Sequence, residues 1–285
     1  MTGVVRLFGD AVCAVAGSVP AERPTSWIAP GSSGYLPVPC YVLRSEGSAL
    51  LIDTGLAAHW PCIRAGLDDL LADCPDRALI MTRREPDAIS SLPAIVQRYG
   101  LRSVYCGGVI SPLDFFERVE RASTVSSLQA IARSDVAWVQ PGAVVRVGTL
   151  ELEVLRTTLR VLPKNHFYET RSRTLFASDT WGMVAQASPG PLERVGADDP
   201  RLSAEAIARH LRHRFDWLVA VDPGPMQQEL AELASRGIER ICSSYGAVIE
   251  GASAVAATLA RTYDALAALS GEVRRERVEG YLSRG

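Results

Sequence analysis

The residues best suited to chemistry lie in one short segment, Arg83-Arg84-Glu85-Pro86-Asp87-Ala88. Carboxylates spaced like Glu85 and Asp87 can bind a divalent cation or move a proton. Arg83 argues against a metal, because a guanidinium is always protonated and has no lone pair to give. Each carboxylate also has a structural explanation: Asp87 stands where a helix start favours an acid, and Glu85 could be a solvated loop charge.

The four histidines add further candidates. His166 stands at the start of a predicted strand and could act as a ligand or a proton carrier, so we include it in the candidate site. His59 follows an Asp-Thr-Gly turn and is a weaker candidate. His210 and His213 are three residues apart on a predicted helix, a spacing that is typical of a solvated face.

The composition is that of an ordinary globular chain, with 47% hydrophobic and 22% charged residues and a net charge of −2. Such a charge provides no field for nucleic acid or an anionic membrane, so we expect neither as a partner. Six cysteines without a CxxC pair, and no recognisable leader, predict a cytoplasmic protein with reduced thiols. Lys164 is the only lysine, which we attribute to codon usage.

Hydrophobic periodicity predicts the elements that must position these residues. Predicted strands cover residues 39–44 and 48–53, joined by a Glu46-Gly47 turn, and continue at 77–82, 103–106, 137–140, 143–148, 150–158, 166–170, 173–179 and 238–244. One predicted helix runs from about 59 to 73, and another opens at Pro86 and carries Val96. Later helices are predicted at 203–217, 225–236 and 251–270. This order predicts a single layered α/β domain over residues 1–285.

The order of motifs resembles the metallo-β-lactamase superfamily. The segments LLIDTG and LIMT, a polar loop, and the helix containing ISSLPAIVQRYG follow one another as in that superfamily. Its metal-binding motif is HxHxDH, and in the flavodiiron branch it is HxExDH. Glu85 and Asp87 match the flavodiiron pattern, whereas Arg83 and Ala88 stand where histidines are expected. The resemblance implies a four-layer αββα sandwich, here without a flavodoxin domain, and a possible homodimer.

The later landmarks of the resemblance complete the candidate site. LFASDTWG resembles the strand that carries the metal-bridging aspartate, here Asp179. Counting back along a hairpin of the expected length puts Arg160 at the third histidine. ICSSYG resembles the strand ending in Ser-His-Gly, so Tyr245 replaces the last histidine. The candidate site is therefore Arg83, Glu85, Asp87, Arg160, His166, Asp179 and Tyr245.

These replacements predict a site without a resident metal or other cofactor, since arginines next to leftover carboxylates can supply the positive charge. Three functions remain open. The first is a pseudoenzyme that binds a small polar or anionic molecule in the former active-site cleft. The second is an atypical oxidoreductase or hydrolase that uses the retained carboxylates with iron or zinc. The third is a structural or interaction role, with the cleft closed by salt bridges.

Overall fold

The computed structural model describes residues 3–22, 26–107 and 135–282, with residues 271–282 described by their backbone. These residues form two seven-stranded sheets. The first sheet contains β1 (Val4–Phe8), β2 (Val12–Pro20), β3 (Tyr35–Ser45), β4 (Ser48–Ile52), β5 (Asp76–Met81), β6 (Ser103–Gly107) and β7 (Asp135–Val139), side by side in that order. Strands β1 to β4 pair antiparallel, and β4 to β7 pair parallel.

The second sheet has the order β12-β14-β13-β11-β10-β9-β8. Its strands are β8 (Val144–Val147), β9 (Leu150–Leu155), β10 (His166–Glu169), β11 (Thr174–Ser178), β12 (Arg194–Val195), β13 (Arg240–Ser243) and β14 (Val248–Glu250). Strands β11 and β13 pair parallel although more than sixty residues separate them, with Leu175 beside Ile241. The pairing of β11 with β13 therefore forms only when both ends of this long connection are in place.

In the part of the chain that the structure describes, six α-helices lie outside the sheets: α1 (Trp60–Leu70), α2 (Pro86–Ile89), α3 (Leu92–Tyr99), α4 (Ala204–Arg214), α5 (Gly224–Ala234) and α6 (Ala252–Leu282). Short 3-10 turns occupy Ala57–His59, Pro200–Leu202 and Asp216–Ala220. No helix in the described ranges is long and apolar enough to cross a membrane. All six cysteines are free thiols.

Among the described residues, three of the four apolar clusters separate four layers. The central core joins the facing sides of the two sheets, as where Leu50 and Phe176 belong to the same buried cluster. A second core packs α1 and α3 on the outer face of the first sheet, and a third packs α4, α5 and α6 on the outer face of the second. The predicted αββα sandwich is confirmed, since each sheet buries both faces.

The helix predicted to open at Pro86 is two helices. α2 ends at Ile89, and α3 begins at Leu92 after a break at Ser90 and Ser91. Pro93 lies in the first turn of α3, where its missing N–H costs no hydrogen bond. Ser90, in this break, contacts a distant part of the chain: its hydroxyl accepts a hydrogen bond from the Ala57 amide at 2.9 Å.

Candidate functional site

The two sheets bring polar residues together at one edge of the sandwich. Asp53 follows β4 and Thr82 follows β5, and these strands are parallel neighbours. Asp179 follows β11 and Ser244 follows β13, which are also parallel neighbours. Lys164 precedes β10, which runs antiparallel to β11 and so starts at the edge where β11 ends. Sequence-distant residues therefore converge because strand ends meet there.

A hydroxyl network ties the two sheets together at this edge. The Asp53 carboxylate accepts hydrogen bonds from the Thr82 amide at 2.8 Å and from the Ser244 hydroxyl at 2.5 Å. The Thr82 hydroxyl lies 2.9 Å from both the Asp53 carboxylate and the Ser178 hydroxyl. Asp53 and Ser178 have φ values of 56° and 55°, a left-handed conformation that costs free energy in a non-glycine residue. The network offsets that cost.

Arg83 is buried between this network and two carboxylates. Its Nε donates to Glu85 Oε2 at 2.6 Å, and its Nη2 pairs with the Asp87 carboxylate. Its Nη1 donates to the Ser244 hydroxyl at 2.8 Å and lies 3.2 Å from the Ser178 hydroxyl. With a side-chain exposure of 1%, this guanidinium is committed to internal partners on every side.

Asp179 binds two further cations. Lys164 Nζ lies 2.5 Å from Asp179 Oδ1 and donates to the Thr180 hydroxyl at 2.9 Å. Arg214, in the last turn of α4, places its Nε 2.5 Å from Asp179 Oδ2 and pairs its Nη2 with Glu85. We call the three carboxylates and three cations the ion-pair cluster: Arg83, Glu85, Asp87, Lys164, Asp179 and Arg214. Its formal charges cancel.

The surroundings shift the pKa values of the cluster in opposite directions. Burial alone would raise the pKa of Asp179, but Lys164, Arg83 and Arg214 outweigh it and hold that pKa well below its usual range. Burial raises the pKa of Asp87 to about 6, opposed by Arg83 and assisted by the neighbouring carboxylates Glu85, Asp53 and Asp179. Burial, assisted by Arg83 and Arg214 and opposed by Asp179, lowers the pKa of Lys164 to about 8. Asp87 is thus the least stabilised anion of the three.

This difference predicts a pH dependence that belongs to Asp87. An unfolded carboxyl ionises near its ordinary value of 3.8, whereas folded Asp87 ionises near 6. Between these values the folded state binds more protons, so this group makes stability fall as the pH rises from about 4 to about 6. We expect Asp87→Asn to remove that part of the slope in denaturant unfolding measured across this range. Asp68→Asn, at a surface carboxylate whose pKa is lowered, is the control and should leave the slope unchanged; an unaltered slope in Asp87→Asn contradicts the prediction.

Both histidines nearest the cluster are buried and neutral. His166 Nε2 lies 2.9 Å from the Thr180 hydroxyl, and because that hydroxyl accepts from Lys164, it donates its own proton to His166. Burial lowers the pKa of His166 to about 3. His210 Nε2 donates to the Asp179 carbonyl at 3.0 Å. The interpretation of His210 as part of a solvated face is therefore wrong, because this turn of α4 packs onto the loop after β11.

Tyr245 closes the cluster from the other side. Its ring is buried, with its centroid 5.6 Å from Arg83 Cζ and 5.1 Å from the Trp27 centroid. Within the described ranges its hydroxyl has no hydrogen-bond partner, and burial raises its pKa well above the ordinary value. A separate open groove of about 450 Å³ is lined by Ser32, Met183, Arg209 and their neighbours, and neither Tyr245 nor Trp27 contributes to its lining.

The structure brings together six of the seven predicted site residues, but it does not place Arg160 with them. Arg160 is exposed, and Lys164 is the cation beside Asp179. Counting along a hairpin failed because the chain between β9 and β10 is an irregular loop. Sequence reasoning also missed Arg214. For Lys164 a signal existed, since a single lysine among thirty basic residues is unusual.

Comparison with known proteins shows which class of protein has this fold. No protein-family model matches the sequence, and no curated protein matches it. Solved structures do match, and among them are flavodiiron proteins, which are di-iron proteins of the metallo-β-lactamase fold. At 18% identity or below, these likenesses establish the fold and nothing finer.

Three structures illustrate the match. Rubredoxin oxygen:oxidoreductase from Desulfovibrio gigas has a TM-score of 0.61 at 17% identity, over 92% of this chain and 61% of its own. The flavodiiron protein from Giardia intestinalis has a TM-score of 0.58 at 16% identity, over 92% and 59%. A fragment of a putative diflavin flavoprotein from a Nostoc species has 0.63 at 14%, over 95% and 97%. This chain thus spans about three fifths of the first two.

The side chains at the cluster do not fit the di-iron centre that this fold implies. Within the described ranges, no group of three His, Cys, Asp or Glu residues could hold a metal ion. Each carboxylate of the cluster is engaged by Arg83, Lys164 or Arg214, and those cations would repel a metal ion. At about 4 Å and an effective dielectric near 20, one such unit-charge repulsion is about 4 kcal/mol.

Proposed function

We propose that this chain is a metal-independent binding protein built on the flavodiiron fold, in which internal ion pairs replace the charge of a metal pair. One observation carries the proposal: Lys164 and Arg214 contact the two oxygens of Asp179 at 2.5 Å each. A carboxylate held in this way has no free oxygen for an iron ion. Nor can either cation become a ligand without losing its proton.

The proposed ligand is a small polar or anionic molecule. Arg83 is committed to Glu85 and Asp87, so a ligand that used these groups would first have to open the cluster. The groove lined by Met183 and Arg209 requires no such opening. It offers the exposed Arg209 and the hydroxyl of Ser33 beside the apolar side chain of Met183. The lining is mostly polar and also includes Arg201 and Glu205, which suits a polar ligand better than an apolar one.

A second candidate is a structural or interaction role. It is favoured by the burial of the cluster, since Arg83, Lys164 and Asp179 each have side-chain exposures of 1%. Calorimetric titration with inorganic phosphate and with acetate separates the two candidate functions. The same titrations are carried out on the parent protein and on an Arg209→Gln variant. Saturable binding that Arg209→Gln weakens supports the ligand; absence of binding supports the interaction role.

Metal analysis tests the proposal directly. Protein purified without chelators is expected to contain only substoichiometric iron, zinc and manganese, and added ferrous or zinc ions should not raise its melting temperature. A ligand that binds only the folded state would raise it, by RT ln(1 + [L]/Kd) in free energy. Near-stoichiometric metal that disappears in Glu85→Gln and Asp179→Asn variants, while remaining in Asp68→Asn, would show the proposal to be wrong.

A further inference from the structure

Lys164 carries the only side-chain amine of the whole chain. Of the thirty basic residues, twenty-nine are arginine. Acyl groups, and protein tags that are joined as acyl groups, attach to the ε-amine of lysine, and the charge is lost when they do. Guanidinium groups do not substitute, since they stay protonated. Any side-chain amine acylation of this protein must therefore take place at Lys164.

The folded structure withholds that amine. The Lys164 side chain is 1% exposed, and its Nζ donates to Asp179 and to Thr180. The ammonium also lies 4.8 Å from the centre of the Phe215 ring, a cation–π contact. Burial and the hydrogen bonds to Asp179 and Thr180 thus keep an acyl donor from reaching the amine as long as the cluster is closed.

The segment before Lys164 is an exposed part of the loop that carries the amine. Residues 160–163 are all exposed, with Val161 at 55% and Leu162 at 38%. Lys164 follows as the first buried residue, and Asn165 continues with a weak 3.4 Å hydrogen bond from its amide to the Thr82 carbonyl. Lys164 therefore anchors this end of the loop together with Asn165, whose side-chain amide donates to the Val139 carbonyl at 3.2 Å, and releasing the loop includes breaking the bond to Asp179.

We propose that Lys164 is a conformationally masked acylation site, which reacts with activated acyl donors of the ester or thioester class only when the ion-pair cluster has opened. In the step, the neutral amine attacks the carbonyl carbon and forms a C–N bond. The C–O or C–S bond to the leaving group breaks, the leaving group takes the electron pair, and the amine proton passes to water.

Acylation at this position also prevents reclosure. The amide product carries no charge, so Asp179 loses one of its two closest cations and the acyl group adds volume to a packed interior. Once the ion-pair cluster has opened in the presence of an acyl donor, the chain carries an acyl group on Lys164 and the cluster cannot close again. The proposal is independent of the binding role above, since it needs only the closed cluster.

Labelling of the folded protein with an N-hydroxysuccinimide ester of acetic acid tests the proposal, with peptide mass spectrometry as the readout. The reference is an Arg64→Lys variant, which places an amine at an exposed position on α1. We expect Lys164 to react at least about 10³-fold more slowly than position 64, the protection that a marginally stable fold gives. Protection below about 100-fold would overturn the proposal.

Urea provides a second measurement that requires no variant in the cluster. The labelling rate of Lys164 is expected to rise with urea in parallel with the unfolded fraction seen by tryptophan fluorescence, while that of position 64 stays nearly constant. After urea is removed, chains acetylated at Lys164 should fail to regain native fluorescence, whereas chains acetylated only at position 64 should regain it. Full refolding of Lys164-acetylated chains would contradict the trapping step.

Discussion

Replacing Asp179 by asparagine is expected to lower the free energy of unfolding by about 3–5 kcal/mol, the usual cost of leaving buried charges without their partner. Asp179 is the point where the cluster converges, with Lys164 on one oxygen, Arg214 on the other and Arg83 Nε at 3.6 Å. An amide keeps the shape of the side chain and removes the charge that balances them. Denaturant unfolding at neutral pH measures the loss.

A surface ion pair provides the matched control. Arg146 and Glu151 are 62% and 60% exposed, so Glu151→Gln should cost less than about 1 kcal/mol. Combining Asp179→Asn with Lys164→Met removes both partners of the buried pair, and the double variant should be more stable than the sum of the two single losses predicts. An Asp179→Asn protein as stable as the Glu151→Gln control would show that the cluster contributes little.

Replacing Gly182 by alanine is expected to cost about 1–3 kcal/mol, because the added methyl overpacks the wall of the site. A Cβ at position 182 would lie 2.1 Å from Cε2 of the Tyr245 ring, far inside van der Waals contact. The ring cannot turn away easily, since it also packs against Trp27 and faces Arg83. Gly182 therefore makes the space that Tyr245 fills.

The control for this prediction is Gly196→Ala, where a Cβ would meet nothing within 4 Å. We expect that variant to unfold with the stability of the parent protein. A smaller residue opposite should relieve the strain, so Gly182→Ala combined with Tyr245→Leu should lose less stability than the two single variants added together. Additive losses would mean that the two side chains do not compete for the same space.

The layered fold could be predicted from the sequence because each strand has a local hydrophobic pattern and is bounded by turn residues. The Glu46-Gly47 turn was predicted correctly, with Gly47 at a φ of 67° between β3 and β4. In the site, Arg83, Glu85 and Asp87 were also within reach of sequence reasoning. They follow one strand closely, and a strand end together with a helix start determines their positions relative to each other.

Partners that come from distant elements could not be predicted in this way. Arg214 reaches Glu85 across 129 residues, and its place depends on how α4 packs over the second sheet. Whether Arg160 or Lys164 lies beside Asp179 depends on the path of an irregular loop, and a loop of this kind has no periodic sequence pattern. The break between α2 and α3, in contrast, does have a local signal, because Pro93 in a continuous helix could not donate a hydrogen bond to the Ile89 carbonyl. Local pattern determines elements, whereas packing determines which charges meet.

The order in which these partners occur along the chain has a consequence for biosynthesis. Arg83, Glu85 and Asp87 leave the ribosome long before Arg214, which completes the ion pairs, and before Ser244, which binds both Arg83 and Asp53. At about 5–20 residues per second, the first half of the nascent chain waits on the order of ten seconds for Arg214. During that interval Arg83 already has its neighbours Glu85 and Asp87, but Glu85 lacks Arg214, and Lys164 joins it in the emerging polypeptide as an open amine. A chaperone or a modifying enzyme that acts co-translationally would meet both groups in this interval.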